Sequence, residues 1–382
     1  MKFIHTADWH FGKTLRGASL IDDQAYISEE FFKIVDERKP DVVIIAGDVY
    51  DRGVPSADAV ELFNEFLSKL TERKTKIVCI SGNHDSATRL NFGSSLFEKS
   101  GFFLRTQISE NPEPIIFQDD FGDVYFAPIP FFEPGLIRAK FFPNDTEKRL
   151  SFDEANKIYI DALRDKIPAG KRSVAVAHVF ISGETKTDSV REIVGGADGI
   201  SAAHFKDFNY TALGHLHAPR AAGGEFVRYS GSPLKYSFDE AAQNKSVTLV
   251  EMGADGNPKI ETIEFVPRRD VRVVEGTLDE LLNLEKTEDY IRAVVKGDTS
   301  FVNVADRLSY VFPNLLATER EERIYNSEEI SDPTNSVTKL SISDQFAEFF
   351  SEMTGEPLSD EQLREMENFL SELQKNDNDD NF

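Results

Sequence analysis

The chain has 382 residues, 40% of them hydrophobic, and carries a formal net charge of −24. That length implies two or three domains with sizeable cores, and so much negative charge excludes a surface that binds polyanions everywhere, because nucleic-acid binding draws on clustered Lys and Arg. A single cysteine, Cys79, excludes a disulfide framework and a thiolate metal cage.

Met1 to His5 enters a strand at once rather than a signal peptide, and no apolar run approaches the roughly 18 residues of a membrane span. The expectation is a cytoplasmic protein with no membrane attachment. Lys2 to Thr6 reads as the first strand, with Asp8-Trp9-His10-Phe11-Gly12 at its end, where two potential ligands one residue apart can turn toward the same point. A helix of roughly Gln24 to Arg38 closes at Pro40. The run Val42 to Ala46 then reads as a buried parallel strand ending in Gly47-Asp48-Val49-Tyr50-Asp51. Ser56 caps a helix of about Ala57 to Lys74. Ile77 to Ile80 follows, with Cys79 as a small core residue, and Gly82 breaks the run so that Asn83 and His84 are presented on a loop at a strand's carboxyl end. In open α/β sheets that edge is where sites form.

A helix is expected near Thr88 to Lys99, then a hairpin over Ile115–Phe117 and Val124–Ala127. Ser151 and Glu154 form a capping box. Ser173 to Ala177 is another buried strand ending at His178, and Tyr210 to Leu213 leads into Gly214-His215-Leu216-His217. Strands around Phe226–Ser230 and Ser246–Met252 are expected to close a second sheet. After Pro267 the ligand-bearing pattern stops. Strands Val271–Glu275 and Tyr290–Val295, with short helices from Leu278 and Val304, suit a small separate α/β domain. A polar linker follows, then two amphipathic helices. One carries Phe346, Phe349, Phe350 and Met353. The other opens at a Ser359–Gln362 capping box and carries Leu363, Met366, Leu370 and Leu373. Twelve acidic residues against two basic ones from Leu340 onward make this tail strongly negative.

Five of the seven histidines, His10, His84, His178, His215 and His217, follow apolar strands in the company of Asp8, Asp48 and Asn83. Carboxylates, imidazoles and one amide without thiolates suit manganese, iron or zinc in an open site. Two such ions roughly 3.5 to 4 Å apart activate water for attack on a phosphate ester. His5, inside the first strand, and His204, in a helical or turn segment, are assigned structural roles. Lys13 and Arg16 are candidates to touch a substrate phosphate.

Asp8-x-His10, Gly47-Asp48-x-x-Asp51, Gly82-Asn83-His84-Asp85, His178 and Gly214-His215-x-His217 together resemble the calcineurin-like metallophosphoesterase superfamily, and the longer stretches around them resemble its DNA-nuclease branch. That resemblance implies an α/β fold: a four-layer αββα sandwich over 1–267, an α/β capping domain over 268–329, a linker over 330–342, a helix pair over 343–375 and a disordered tail over 376–382. It implies that Asp8, His10, Asp48 and His217 hold one ion, and that Asp48, as a bridge, holds a second with Asn83, His178 and His215. It assigns His84 to transition-state stabilisation and protonation of the leaving oxygen, with Asp51 orienting it. It also implies two divalent metal ions, manganese in particular, DNA as substrate, and an SbcC-type ATPase that docks on the helix pair. The assembly it implies is a heterotetramer built on a homodimer, with helices near Phe63 and Leu96 as the homodimer contact. A hydrolase of small phosphodiesters or phosphoproteins would share every ligand. An inactive DNA-tethering scaffold would not need the complete set.

Overall fold

Each apolar run of the first half becomes a strand whose alternate residues serve two different cores. The computed structural model describes residues 1–184, 199–297, 303–320 and scattered positions between 346 and 366. In chain order come β1 (Lys2–Thr6), α1 (Ile21–Arg38), β2 (Val42–Ala46), α2 (Ala57–Glu72), β3 (Lys76–Ile80) and β4 (Phe102–Arg105). Then follow β5 (Ile115–Asp119), β6 (Gly122–Ile129), α3 (Phe152–Arg164), β7 (Arg172–His178), β8 (Tyr210–Gly214), β9 (Arg220–Ala221) and β10 (Val227–Tyr229). Last are β11 (Ser246–Met252), β12 (Pro258–Glu264), β13 (Val271–Thr277), β14 (Tyr290–Lys296) and β15 (Leu315–Arg320).

The first sheet has the order β12-β11-β1-β2-β3-β4 and the second β9-β10-β8-β7-β6-β5. Because side chains alternate along a strand, Val43 and Ile45 of β2 join Phe31 and Phe66 of the overlying helices. Val42, Ile44 and Ala46 face the other way, toward Phe126, Val174 and Tyr210 of the second sheet. Phe3 meets the rings of Phe126 at 5.9 Å and Tyr210 at 5.5 Å, edge to face, a geometry that aromatic quadrupoles favour. The second sheet's outer face, with Ile129 and Ala177, is covered by Tyr159, Ile160 and Leu163 of α3. The layers run helix, sheet, sheet, helix, which is the four-layer αββα sandwich.

Two expectations are corrected. Ser246–Met252 does not close the second sheet; β11 pairs antiparallel with β1 in the first, Phe3 opposite Val250. Its alternation is the same in either sheet, so the pattern alone cannot assign it. The helix expected over Thr88–Lys99 is instead two single turns, Ala87–Leu90 and Ser94–Phe97, with a 3₁₀ turn after them. Gly93, at φ +73°, takes a left-handed conformation between them that ends helical propagation. The strands β4, β9, β12 and β15 were not anticipated.

β13, β14 and β15 form a parallel three-stranded sheet with its own core, including Leu281, Ile291, Leu308 and Phe312. It belongs to the compact unit Met1–Glu321, and the chain from Glu322 groups separately. The linker 330–342, the tail 376–382 and most of the helix pair lie outside the described residues. Within that second unit, Ser359 Oγ accepts from the Gln362 amide at 3.3 Å and Gln362 Oε1 accepts from the Ser359 amide at 2.9 Å, so the expected capping box is made.

At the edge of the second sheet, Arg172 at the start of β7 grips Asp119 at the end of β5, Nη1 donating to Oδ2 at 2.9 Å, with both side chains largely buried. The guanidinium holds the Asp119 carboxyl well below the usual carboxylate range. A depressed carboxyl stabilises the fold above its unfolded pKa of about 4, and this stabilisation is lost as pH falls toward the folded value. Asp119→Asn is therefore expected to cost about 2 kcal/mol at pH 7 and to lose most of that difference by about pH 2. Urea unfolding of both proteins at the two pH values measures it.

Candidate metal centre

The carboxyl ends of β1, β2, β3, β7 and β8 converge, and the loops that follow them are zipped together by their backbones. The Asp8 amide donates to the Gly47 carbonyl at 3.1 Å, His10 to Asp48 at 3.0 Å and Phe11 to Val49 at 2.9 Å. Asp85 clamps the third loop to the second, its carboxylate accepting from the amides of Val49, Tyr50 and Gly82 at 3.1, 2.9 and 2.9 Å. Across the sheets, the Asp8 carboxylate accepts from the His215 amide at 3.0 Å. Four of the residues so placed, Asp8, His10, Asp48 and His215, hold positive φ without being glycine. Such strain persists only where the surroundings over-determine it, and it clusters at functional sites.

The side chains fall into two neighbouring groups. In one, His10 Nε2 and His217 Nε2 face each other at 3.1 Å, and Asp8, His10 and His217 bring ligand atoms within 4.8 Å of one another. In the other, Asn83 Oδ1 lies 2.9 Å from His178 Nε2 and 3.1 Å from His215 Nδ1, while Asp48 Oδ2 is 3.4 Å from His178 Nε2. Asp48 also lies 3.6 Å from His10 Nε2, so its carboxylate touches both groups. Two rings are aimed from behind. His178 Nδ1–H donates to the Ala46 carbonyl at 2.9 Å, and His217 Nδ1 bonds Glu240 Oε1 at 3.0 Å, leaving each Nε2 for a ligand role. Glu240 is in turn bonded by the buried Lys245 ammonium.

Asp8, His10, Asp48, His178, His215 and His217 are all 0 to 2% exposed. Burial pushes the Asp8 carboxyl well above its usual range and pushes His10 well below. Burial also disfavours charge on His178, but Asp48 and Asp8 outweigh it and raise that imidazole to about 9. Two buried carboxylates among buried imidazoles make a cavity that a cation neutralises. The donors fit one: His10 Nδ1 is buried without a hydrogen-bond partner among the described residues, and imidazole nitrogens, carboxylate oxygens and Asn83 Oδ1 converge without thiolates.

All seven expected ligands thus come together. His84 stands beside them, its ring edge-on to His10 at 4.6 Å. Its amide donates to Asp48 Oδ1 at 2.9 Å, and its Nδ1–H donates to Asp51 at 2.8 Å. The acceptor is the Asp51 backbone carbonyl. The Asp51 carboxylate is taken by Lys13 Nζ at 2.7 Å. Arg16 is exposed on the turn of a small hairpin. His5 is buried away from the site, bonding Tyr210 and the Leu213 carbonyl, and His204 pairs with Asp153. Sequence reasoning missed three supporting residues. Asp85 was visible in its motif but was given no role, whereas neither Glu240 nor Gln24, which bonds the Trp9 and His10 carbonyls, carries a local signal.

A family model described as calcineurin-like phosphoesterase matches residues 1–219, and another described as type 5 capsule protein repressor C-terminal domain matches residues 267–354. The chain is 32% identical to the SbcD component of nuclease SbcCD from Staphylococcus saprophyticus, an alignment that covers 98% of both chains. Among solved structures, a dimetal phosphatase from Danio rerio is 11% identical with a TM-score of 0.42, covering 70% of this chain and 96% of that one. A Thermus thermophilus protein is 12% identical with a TM-score of 0.39, covering 69% and 98%.

Gly82 gives the site a direct test, because a Cβ there would lie 2.1 Å from Asp48 Oδ1. Gly82→Ala must displace the carboxylate that touches both groups. Calorimetric titration of the metal-free protein with manganese is expected to show affinity reduced about 10-fold to 100-fold, the range for disturbing a ligand's support.

Proposed function

This chain belongs to the calcineurin-like phosphoesterase family, and from that membership we propose that it is a metal-dependent DNA nuclease working with an SbcC-type ATPase. It cleaves duplex DNA as an exonuclease and single strands and hairpins as an endonuclease, in repair, recombination and replication. The observation that carries this reading is the placement of His84. It is oriented through Nδ1 by a backbone carbonyl and stands against a cluster of two carboxylates, four imidazoles and an amide. Full-length similarity to a nuclease component supports DNA over a small phosphodiester.

Asp8, His10, Asp48 and His217 would hold one divalent cation, and Asp48, Asn83, His178 and His215 a second, with manganese the metal proposed. Such ions, when bound, supply positive charge against the scissile phosphate and lower the pKa of water. That charge also offsets the repulsion between DNA and a chain at −24. His84, with Nδ1–H committed to the Asp51 carbonyl, keeps Nε2 to hold a proton for the leaving oxygen. Lys13, anchored by Asp51, is a phosphate contact beside it. Residues 268–329 are read as a capping domain. An apolar patch on α2 and the turns after it, with Val60, Phe92 and Leu96 exposed at 45, 85 and 67%, supports a homodimer. Phe63, named with Leu96 from sequence, is itself buried in the core.

The reading is tested by assaying the purified protein, with and without the ATPase, on linear duplex and single-stranded DNA across manganese, magnesium and zinc. Hydrolysis of a small chromogenic diester with no cleavage of DNA would replace it with the small-substrate alternative. His84→Ala is expected to keep its metal, by elemental analysis, while cleavage falls about 100-fold or more. Removal of residues 340–382 is expected to spare cleavage of short single strands and abolish co-purification with the ATPase. Undiminished co-purification would remove the helix pair from the interface.

A further inference from the structure

The three-stranded sheet of β13, β14 and β15 packs on the rest of the protein through Val271 and Tyr290, which join the core beneath α1 and α2, and through two sets of polar contacts that run to a pair of facing histidines. The first begins at Arg269, just before β13, which grips Asp23 of α1 with two hydrogen bonds, Nε to Oδ1 at 2.8 Å and Nη2 to Oδ2 at 2.7 Å. Tyr290, the first residue of β14, donates its hydroxyl to the same carboxylate at 2.7 Å. The next residue of α1 is Gln24. Its Nε2 donates to the carbonyls of Trp9 at 3.0 Å and His10 at 2.8 Å, and its Oε1 accepts from the Gly12 amide at 2.9 Å. Gln24 thus fixes the loop in which His10 is held at φ +46°, a conformation that needs such support.

The second set begins at Asp270, which takes Lys235 Nζ at 2.9 Å. The same ammonium donates to the Ala241 carbonyl at 2.8 Å. Ala241 closes the short 3₁₀ turn Phe238–Glu240, and it directly follows Glu240, whose Oε1 bonds His217 Nδ1 at 3.0 Å and whose Oε2 accepts from the Tyr236 amide at 3.3 Å. Asp23, Gln24 and Glu240 are 0 to 1% exposed, so the inner contacts of each set are shielded from competing water, while Arg269 and the Lys235–Asp270 pair are partly exposed. The contacts that aim the other group have a different origin. His178 is aimed by the Ala46 carbonyl of β2, and the loop of Asn83 is clamped by Asp85.

We propose that the three-stranded sheet sets the geometry of one cation position alone, that of Asp8, His10 and His217, through two struts in which Gln24 and Glu240 are the positioning residues and Asp23 and Lys235 the links. The inference rests on the metal-centre reading given above. It makes the two positions unequal in their dependence on the sheet: a displacement of β13 and β14 loosens His10 and His217 and leaves Asn83, His178 and His215 in place. The sheet then has a means of tuning occupancy of half the centre without touching substrate or metal.

The test uses the full-length protein stripped of metal and titrated with manganese by calorimetry, with elemental analysis after dialysis to count retained ions. Asp23→Asn and Lys235→Met each break one strut without altering a ligand, and Arg269→Gln breaks the first from the more exposed side should Asp23→Asn fold poorly. Each is expected to weaken one of the two binding steps about tenfold, to leave the other within about twofold, and to retain close to one ion where wild type retains two. Asp119→Asn, a buried pair elsewhere in the fold, should leave both steps unchanged. Equal weakening of both steps, or of neither, overturns the proposal. If the wild type itself binds no manganese, it is the metal-centre reading that falls, and the two failures are told apart by that control.

Discussion

The whole arrangement depends on how closely the two sheets approach at the edge where their strands end. Gly214, the last residue of β8, lies so near the Ala46 carbonyl of β2 that a Cβ would sit 1.9 Å from its oxygen. The same carbonyl receives His178 Nδ1–H, and the Asp8 carboxylate receives the His215 amide. These contacts join ligands from one sheet to ligands from the other. They also satisfy polar groups that the approach removes from water, which would otherwise be costly. The intersheet core around Phe3, Phe126 and Tyr210 sets the spacing of the sheets, and the glycine permits their final approach.

The ligands were legible because each lies at or just past the end of one of five strands, so a run of apolar residues and the polar residues after it are read together. Asp8, His10, Asp48, Asn83, His178, His215 and His217 all arrive at one place for that reason. The four-layer architecture was available only through resemblance to a family, since alternation shows that a strand has two faces and not what covers them. β11 shows the limit: Val247 and Leu249 face the helix-side core and Val250 and Met252 the intersheet core, a pattern equally suited to the other sheet. Asp51 shows another. The residue was found, but its side chain belongs to Lys13 and its backbone to His84, a division that no sequence motif encodes. Glu240 lies far along the chain from the strand ends and is brought to His217 only by tertiary structure.

Charge follows the same division between what is local and what the fold assembles. The acidic tail is visible as composition and says little about the centre. The centre's own carboxylates are few and wholly enclosed, and their effect comes from burial. Asp8 is driven toward its neutral form, while His178 is driven toward its charged form by Asp48 and Asp8. A cation that binds there must displace those protons and then reverses the sign of the local field, so an acidic protein can hold a positive centre without a basic face.

The pairing of β1 with β11 has a consequence for how the protein comes to exist. The strand that carries Asp8 and His10 at its end is made long before one of its neighbours in the sheet, the segment at Val250, and His217 is supplied by residues made only shortly before that. Closing so long a loop is slow, and during synthesis β1 waits with an edge unpaired, a state prone to mispairing. Its parallel partner β2 arrives early and covers the other edge. The nascent chain can thus build the β1 to β4 half of the first sheet on its own helices while no complete donor set exists. The full set of donors is assembled only once the chain has been made past His217.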